Sequence, residues 1–140
     1  MKLIRSMQVF VAGVVLLLCT ACSGLHNMAK DMAEVQKEGD AFIDALTSHN
    51  WQDARALLTK SGQEKWDEKK LTDYWAAFET VHGPVKRRTV VGFRAFTGTT
   101  GQSVTYNYEV DGKERDGGMV SMKLLFINGH WLIDELALQL

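Results

Sequence analysis

The chain has 140 residues, 46% hydrophobic and 24% charged, with a formal net charge of −1. That length supports one modest core. The near-balanced charge excludes non-specific nucleic-acid binding, and two cysteines exclude a disulfide-dense scaffold.

Lys2 and Arg5 precede an apolar run from Val9 to Leu18, and Cys19-Thr20-Ala21-Cys22 follows. The cations hold the N-terminus on the cytoplasmic side. Val9 to Cys22 is 14 residues, short of the roughly 20 a bilayer span needs, and of the right length for the apolar core of an export signal. Thr20 and Ala21 are small, as cleavage before Cys22 requires. The segment resembles a bacterial lipoprotein signal, with Cys19 standing where Leu is usual. The resemblance implies that Cys22 becomes the first mature residue and carries acyl chains such as palmitate. An ordinary cleaved signal with a free Cys22, or an uncleaved anchor, are the alternatives. Ser23, in place of the Asp that retains such proteins at the inner membrane, implies an outer-membrane address facing the periplasm in a Gram-negative cell. The division expected is a signal over 1–21, a lipidated cysteine and tether over 22–29, and a single α+β domain over 30–140. Loss of Lys2 and Arg5 leaves fourteen cations against seventeen acids, a net charge of −3. Cys19 leaves with the signal, so no disulfide can form within the domain.

Met28, Met32, Val35, Phe42, Ile43 and Leu46 fall on one helical face. Gly39 interrupts it and marks a kink or a close approach. Asn50 is an N-cap for a second helix, with Asp53 facing its free N–H groups and Trp51, Ala54, Leu57 and Leu58 as its apolar side. Ser61-Gly62-Gln63-Glu64 matches a capping box and predicts a short third helix that includes Trp66. The pattern restarts at Thr72, with Tyr74, Trp75, Phe78 and Val81 on the buried side, and Gly83-Pro84 ends it. The period then falls to two. Val85–Phe96, Ser103–Val110, Met119–Ile127 and His130–Leu138 read as strands. Gly98-Thr99-Thr100-Gly101 and Asn128-Gly129 are turns between them, the latter a strong hairpin signal. A charged loop, Lys113 to Asp116, joins the second strand to the third. Helices followed by four sequential strands predict an α+β fold: N-terminal helices packed on one face of a curved, four-stranded antiparallel meander.

Phe42-Ile43-Asp44-Ala45-Leu46 with Asn50-Trp51-Gln52-Asp53-Ala54, and the ending Phe126-Ile127-Asn128-Gly129-His130-Trp131-Leu132-Ile133-Asp134, resemble the opening and the last hairpin of the nuclear transport factor 2-like superfamily. The resemblance covers about residues 30 to 138. It implies a cone with a pocket, here shortened because no early β-hairpin fits between the second and third helices. It also implies a homodimer through the sheet as one partner. Enzymes of that superfamily place Asp, His or Tyr inside the cone, where burial tunes a base. The pocket candidates here are Tyr106, Tyr108, His82, Asp134 and Trp131, with Asp44 as a further acid. Each has an ordinary reading beside it. The tyrosines pack in the core with their hydroxyls at its rim, and His82 meets the C-terminal dipole of its helix. The four tryptophans fill the interior. Lys86-Arg87-Arg88 protects a sheet edge or meets an anionic partner. His26 and His49 lack partners at zinc spacing, so neither a metal nor a cofactor is implied.

The leading expectation is a membrane-anchored envelope lipoprotein with a non-enzymatic domain that binds a small ligand or an envelope protein. An accessory subunit or immunity-type inhibitor is the second, and a pocket acid–base enzyme the third.

Overall fold

The computed structural model describes residues 30–112 and 117–140. The signal, Cys22, the tether, His26, Met28 and the loop Lys113–Asp116 lie outside them. The chain divides after Glu34 into two units. Residues 30–34, the described part of the first, are helical. The second unit, Val35–Leu140, holds the sheet and its helices.

Helix α1 (described over 30–47) buries Val35, Phe42, Ile43 and Leu46, the face expected from their spacing. Helix α2 (Trp51–Ala56) is capped by Asn50, whose side chain accepts from the Asp53 N–H. Helix α3 (Lys60–Lys65) begins two residues before the position the Ser61 box implied, because Thr59 supplies the cap: its hydroxyl accepts from the Gly62 N–H at 2.9 Å. Trp66 falls outside this helix as its C-cap and stacks on Tyr74 at 5.0 Å. Helix α4 (Glu68–His82), capped by Asp67, starts four residues before Thr72. The Lys70 N–H bonded to the Asp67 carboxylate holds it below the ordinary carboxylate range.

The buried side of α4 is Leu71, Trp75 and Phe78. Val81, expected there, is exposed. Steps of four and three from Leu71 carry the face on to His82, whose ring lies 4.7 Å from Phe78 and occupies the place Val81 would have taken.

Strands β1 (Arg87–Gly98), β2 (Gly101–Asp111), β3 (Gly118–Ile127) and β4 (His130–Leu138) form one antiparallel sheet in the order β1-β2-β3-β4. This is the α+β meander the period change predicts. β1 runs later than Val85–Phe96 and β2 is longer at both ends than its alternation suggested. Asn128 (φ 51°) and Gly129 (φ 84°) turn the last hairpin with the two positive dihedrals its twist requires.

One sheet face carries the core: Val104, Tyr106, Tyr108 and Val110 of β2, Val120, Met122 and Leu124 of β3, and Trp131, Ile133, Leu136 and Leu138 of β4. The β4 set breaks strict alternation. Asp134 is an extra residue, since Glu135 pairs with Lys123 and Ile133 with Leu124. This bulge shifts parity by one and lets both halves of β4 bury their apolar residues. It also aims the Asp134 carboxylate at Thr59, whose hydroxyl donates to it at 2.7 Å. Beside it, Thr59 N–H donates to the Ile133 carbonyl (2.8 Å) and Ile133 N–H to the Leu57 carbonyl (2.9 Å), so the α2–α3 connection covers this part of the β4 edge.

Thr59 is 3% exposed and uses its hydroxyl twice. Thr59→Val keeps its shape and strands both the Gly62 donor and the Asp134 acceptor. A loss of about 1–2 kcal/mol is expected in urea unfolding. Thr59→Ser should recover most of it, and equal losses for the two variants would refute the assigned bonds.

Candidate functional site

The densest polar grouping lies where α1 passes the β1 side of the core face. Asp40 and Asp44 are four residues apart on α1 and so share one side of it. Arg88, opposite Val110 in the β1–β2 register, points to the same side. Its Nε donates to Asp40 Oδ1 at 3.1 Å, and its two Nη atoms donate to the Asp44 carboxylate. Burial works against the Arg88 charge, but the bonds and fields of Asp44 and Asp40 outweigh it and raise its pKa above the ordinary value.

Tyr108 stands next to this triad. Its hydroxyl donates to the Gln36 carbonyl at 3.4 Å, and its ring runs beneath Gly39. A Cβ at Gly39 would come within 2.7 Å of the Tyr108 Oη, so this glycine marks a close approach of α1 to the sheet. Tyr106 lies 5.9 Å from Tyr108 and 6.0 Å from Phe93, centroid to centroid. Burial, and then the Asp40 carboxylate, push both phenols above their usual pKa, Tyr108 far more than Tyr106.

The two tyrosines are therefore protons held, not protons offered. Unfolded tyrosine ionises near pH 10. In the folded chain it does so later, so the unfolded state releases protons first as pH rises. Stability tied to these phenols is complete below about pH 10 and falls above it. Denaturant midpoints should drop more steeply above about pH 10 for the native chain than for Tyr108→Phe; identical slopes would refute this.

The other candidates lie elsewhere. The His82 Nε2 is 2.8 Å from the Gln139 carbonyl, at the opposite end of the sheet from the Asn128-Gly129 turn. Asp134 is held by Thr59 in the bulge. Trp131 packs against Phe126 (5.2 Å) near that turn, its Nε1 buried without a hydrogen-bond partner among the described residues, as is that of Trp75. Asp44 is bound to Arg88. Of the five residues read as a pocket, the structure unites only Tyr106 and Tyr108. The Asp40–Arg88 pairing was not anticipated; the four-residue spacing of Asp40 and Asp44 was its one signal. Lys86-Arg87-Arg88 divides, with Arg87 Nε donating across the strand pair to Asp111 (2.8 Å) and Arg88 turning to α1.

An open hollow of about 550 Å³ lies between α1 and α2, lined by Ala41, Asp44, Ala45, Ser48, Asn50 and Asp53 among others. Its polar groups serve one another: Asn50 Nδ2 donates to Asp53 (2.6 Å) and Ser48 Oγ to the Asp44 carbonyl (2.7 Å). Among the described residues no three His, Cys, Asp or Glu side chains are placed to hold a metal ion, and no helix is long and apolar enough to cross a membrane. No family model matches the chain, and no curated protein matches it.

Proposed function

We propose that this chain is a non-enzymatic lipoprotein of the cell envelope, held by acyl chains on Cys22, whose domain binds a protein partner through its outer surface. The observation that carries the second half is the burial of large side chains between sheet and helices. Phe42, Trp75, Phe78, Tyr108, Met122 and Ile133 are each at most 1% exposed, and they occupy the space between sheet and helices where a cone of the nuclear transport factor 2-like kind would hold a ligand. The same filling favours a surface-acting accessory or inhibitor subunit over a small-molecule binder. The acids and bases read as catalytic candidates are committed to Arg88, Thr59 and a chain carbonyl, which favours a role without catalysis.

The face turned away from the core is the natural contact. Register sets Ser103, Thr105, Asn107 and Glu109 of β2 beside Leu125, Lys123, Ser121 and Met119 of β3. Half-exposed apolar and polar groups alternate there, as at many non-obligate interfaces. A photo-crosslinking residue at Ser121 or Asn107, in cells expressing the full chain, should trap one discrete protein adduct. Adducts only of the chain with itself would replace this partner by a homodimer through the sheet. No adduct at either site would defeat the reading.

A further inference from the structure

The end of the sheet that carries the turns 98–101 and 128–129 differs from the rest of the surface. Phe96, Phe126 and Ile127 are exposed there, Phe96 by 62%, and Phe93, farther back along the edge strand β1, is 54% exposed. They do not form one flat patch. Phe93 pairs with Tyr106 and Phe126 with Trp131, on the core face; Phe96 pairs with Ser103 and Ile127 with His130, on the outer face. Apolar side chains thus flank both sides of the sheet's edge like the two sides of a blade.

Charge is distributed to match. None of the seventeen acids lies between Thr80 and Tyr108, or between Gly117 and Ile133. Arg94 is the one formal charge between Thr89 and Tyr108, and no ion pair engages it among the described residues. Two hairpin ends without an acid of their own, bearing exposed aromatic rings and a guanidinium outside any ion pair among the described residues, stand out on a mature chain of net charge −3. A rigid protein partner would need a slot to cover both sides of such an end, whereas a fluid lipid layer closes around it. Apolar side chains at the acyl boundary with a cation at headgroup level are the ordinary composition of an interfacial membrane contact.

We infer that this turn end is a second membrane contact, in which Phe96, Phe126 and Ile127 enter the interface of a bilayer containing anionic phospholipid and Arg94, set back from them, meets its phosphates. The inference rests on the lipidation of Cys22 proposed above. The eight residues 22–29 reach at most about 29 Å when extended, so the tether keeps the domain near the bilayer and within reach of a surface contact. A lipid anchor and a protein contact together form the two-signal attachment that makes membrane binding stable.

The test uses the full lipidated chain in phosphatidylcholine vesicles with and without phosphatidylglycerol. The mature chain holds no other free thiol, so Thr99→Cys in the turn and Thr80→Cys on the last turn of α4 each accept one environment-sensitive fluorophore. In vesicles with phosphatidylglycerol the Thr99 label should shift to the blue and be quenched by spin-labelled lipid, while the Thr80 label stays water-like. Adding Arg94→Ser and Phe96→Ser to the Thr99→Cys chain should abolish the shift with the circular dichroism unchanged. A chain that floats with the vesicles while its Thr99 label remains in water overturns the inference and leaves the anchor standing. A Thr99 label that shifts with protein concentration but escapes lipid quenching assigns this end to a second copy and also overturns it. A chain that does not float overturns the anchor, and this inference with it.

Discussion

The Gly118→Val variant is expected to lose about 2–3 kcal/mol of stability, a fall of roughly 10 °C or more in Tm for a domain of this size. Gly118 opens β3 directly over the end of α4. A Cβ at this position would lie 2.4 Å from Phe78 Cζ, 2.7 Å from Phe78 Cε2 and 2.9 Å from His82 Cδ2. The ring cannot retreat. Phe78 is fully buried and sits between Trp75, stacked at 5.2 Å, and His82 at 4.7 Å. The added side chain must push α4 off the sheet or force these rings out of their rotamers. Gly117→Ala is the control. Its Cβ meets Glu109 Cγ and Oε1 and Asp111 Oδ1, the movable ends of flexible side chains, so a change within about 0.5 kcal/mol is expected. Thermal unfolding of both variants decides the matter: equal effects would mean that the approach of α4 to the start of β3 is not a tight contact.

The Cys22→Ala variant is expected to lose acylation completely. In cells fed labelled palmitate the native chain should take up label and the variant none. Mass spectrometry of the native protein should give an N-terminus at Cys22 carrying the added acyl mass. The size of the effect follows from the chemistry of the anchor. Each buried methylene contributes about 0.8 kcal/mol, so one acyl chain binds reversibly and two or more do not let go on any useful timescale. Native protein should therefore stay with membranes through high-salt and alkaline washes, conditions that strip proteins held by charge alone. An unmodified Cys22 in the mature protein would overturn the anchor and point to an ordinary cleaved signal.

Elements whose cause is local were readable along the chain. The Asn50 cap, the Asn128-Gly129 hairpin and the alternation of Val104, Tyr106, Tyr108 and Val110 each depend on residues within a few positions of one another. Misreadings arose where a local signal competed with a distant one. Ser61 and Glu64 have the spacing of a capping box, but Thr59, fixed by Asp134 seventy-five residues later, supplies the cap two residues earlier. Val81 continues the face of α4 by period, yet His82 fills the space because the sheet ends there with Gly112 and Gly118 against it. The pocket reading met the same limit. Tyr106 and Tyr108 share a strand face by simple alternation, and they do meet; His82, Asp134 and Trp131 were grouped by residue type, which carries no information about distance.

By itself, the sequence determined the order and kind of the elements and the single antiparallel sheet they make. These follow from periodicity, turn chemistry and composition, which act over a few residues. Tertiary structure alone decided that Arg88 closes on Asp40 and Asp44, that the bulge at Asp134 restores the buried face of β4, and that Phe42, Trp75, Phe78, Tyr108, Met122 and Ile133 share one core. Each of these depends on which side chains meet across long stretches of chain. Such meetings are settled by packing and pairing summed over the whole fold, and no short window of residues encodes them.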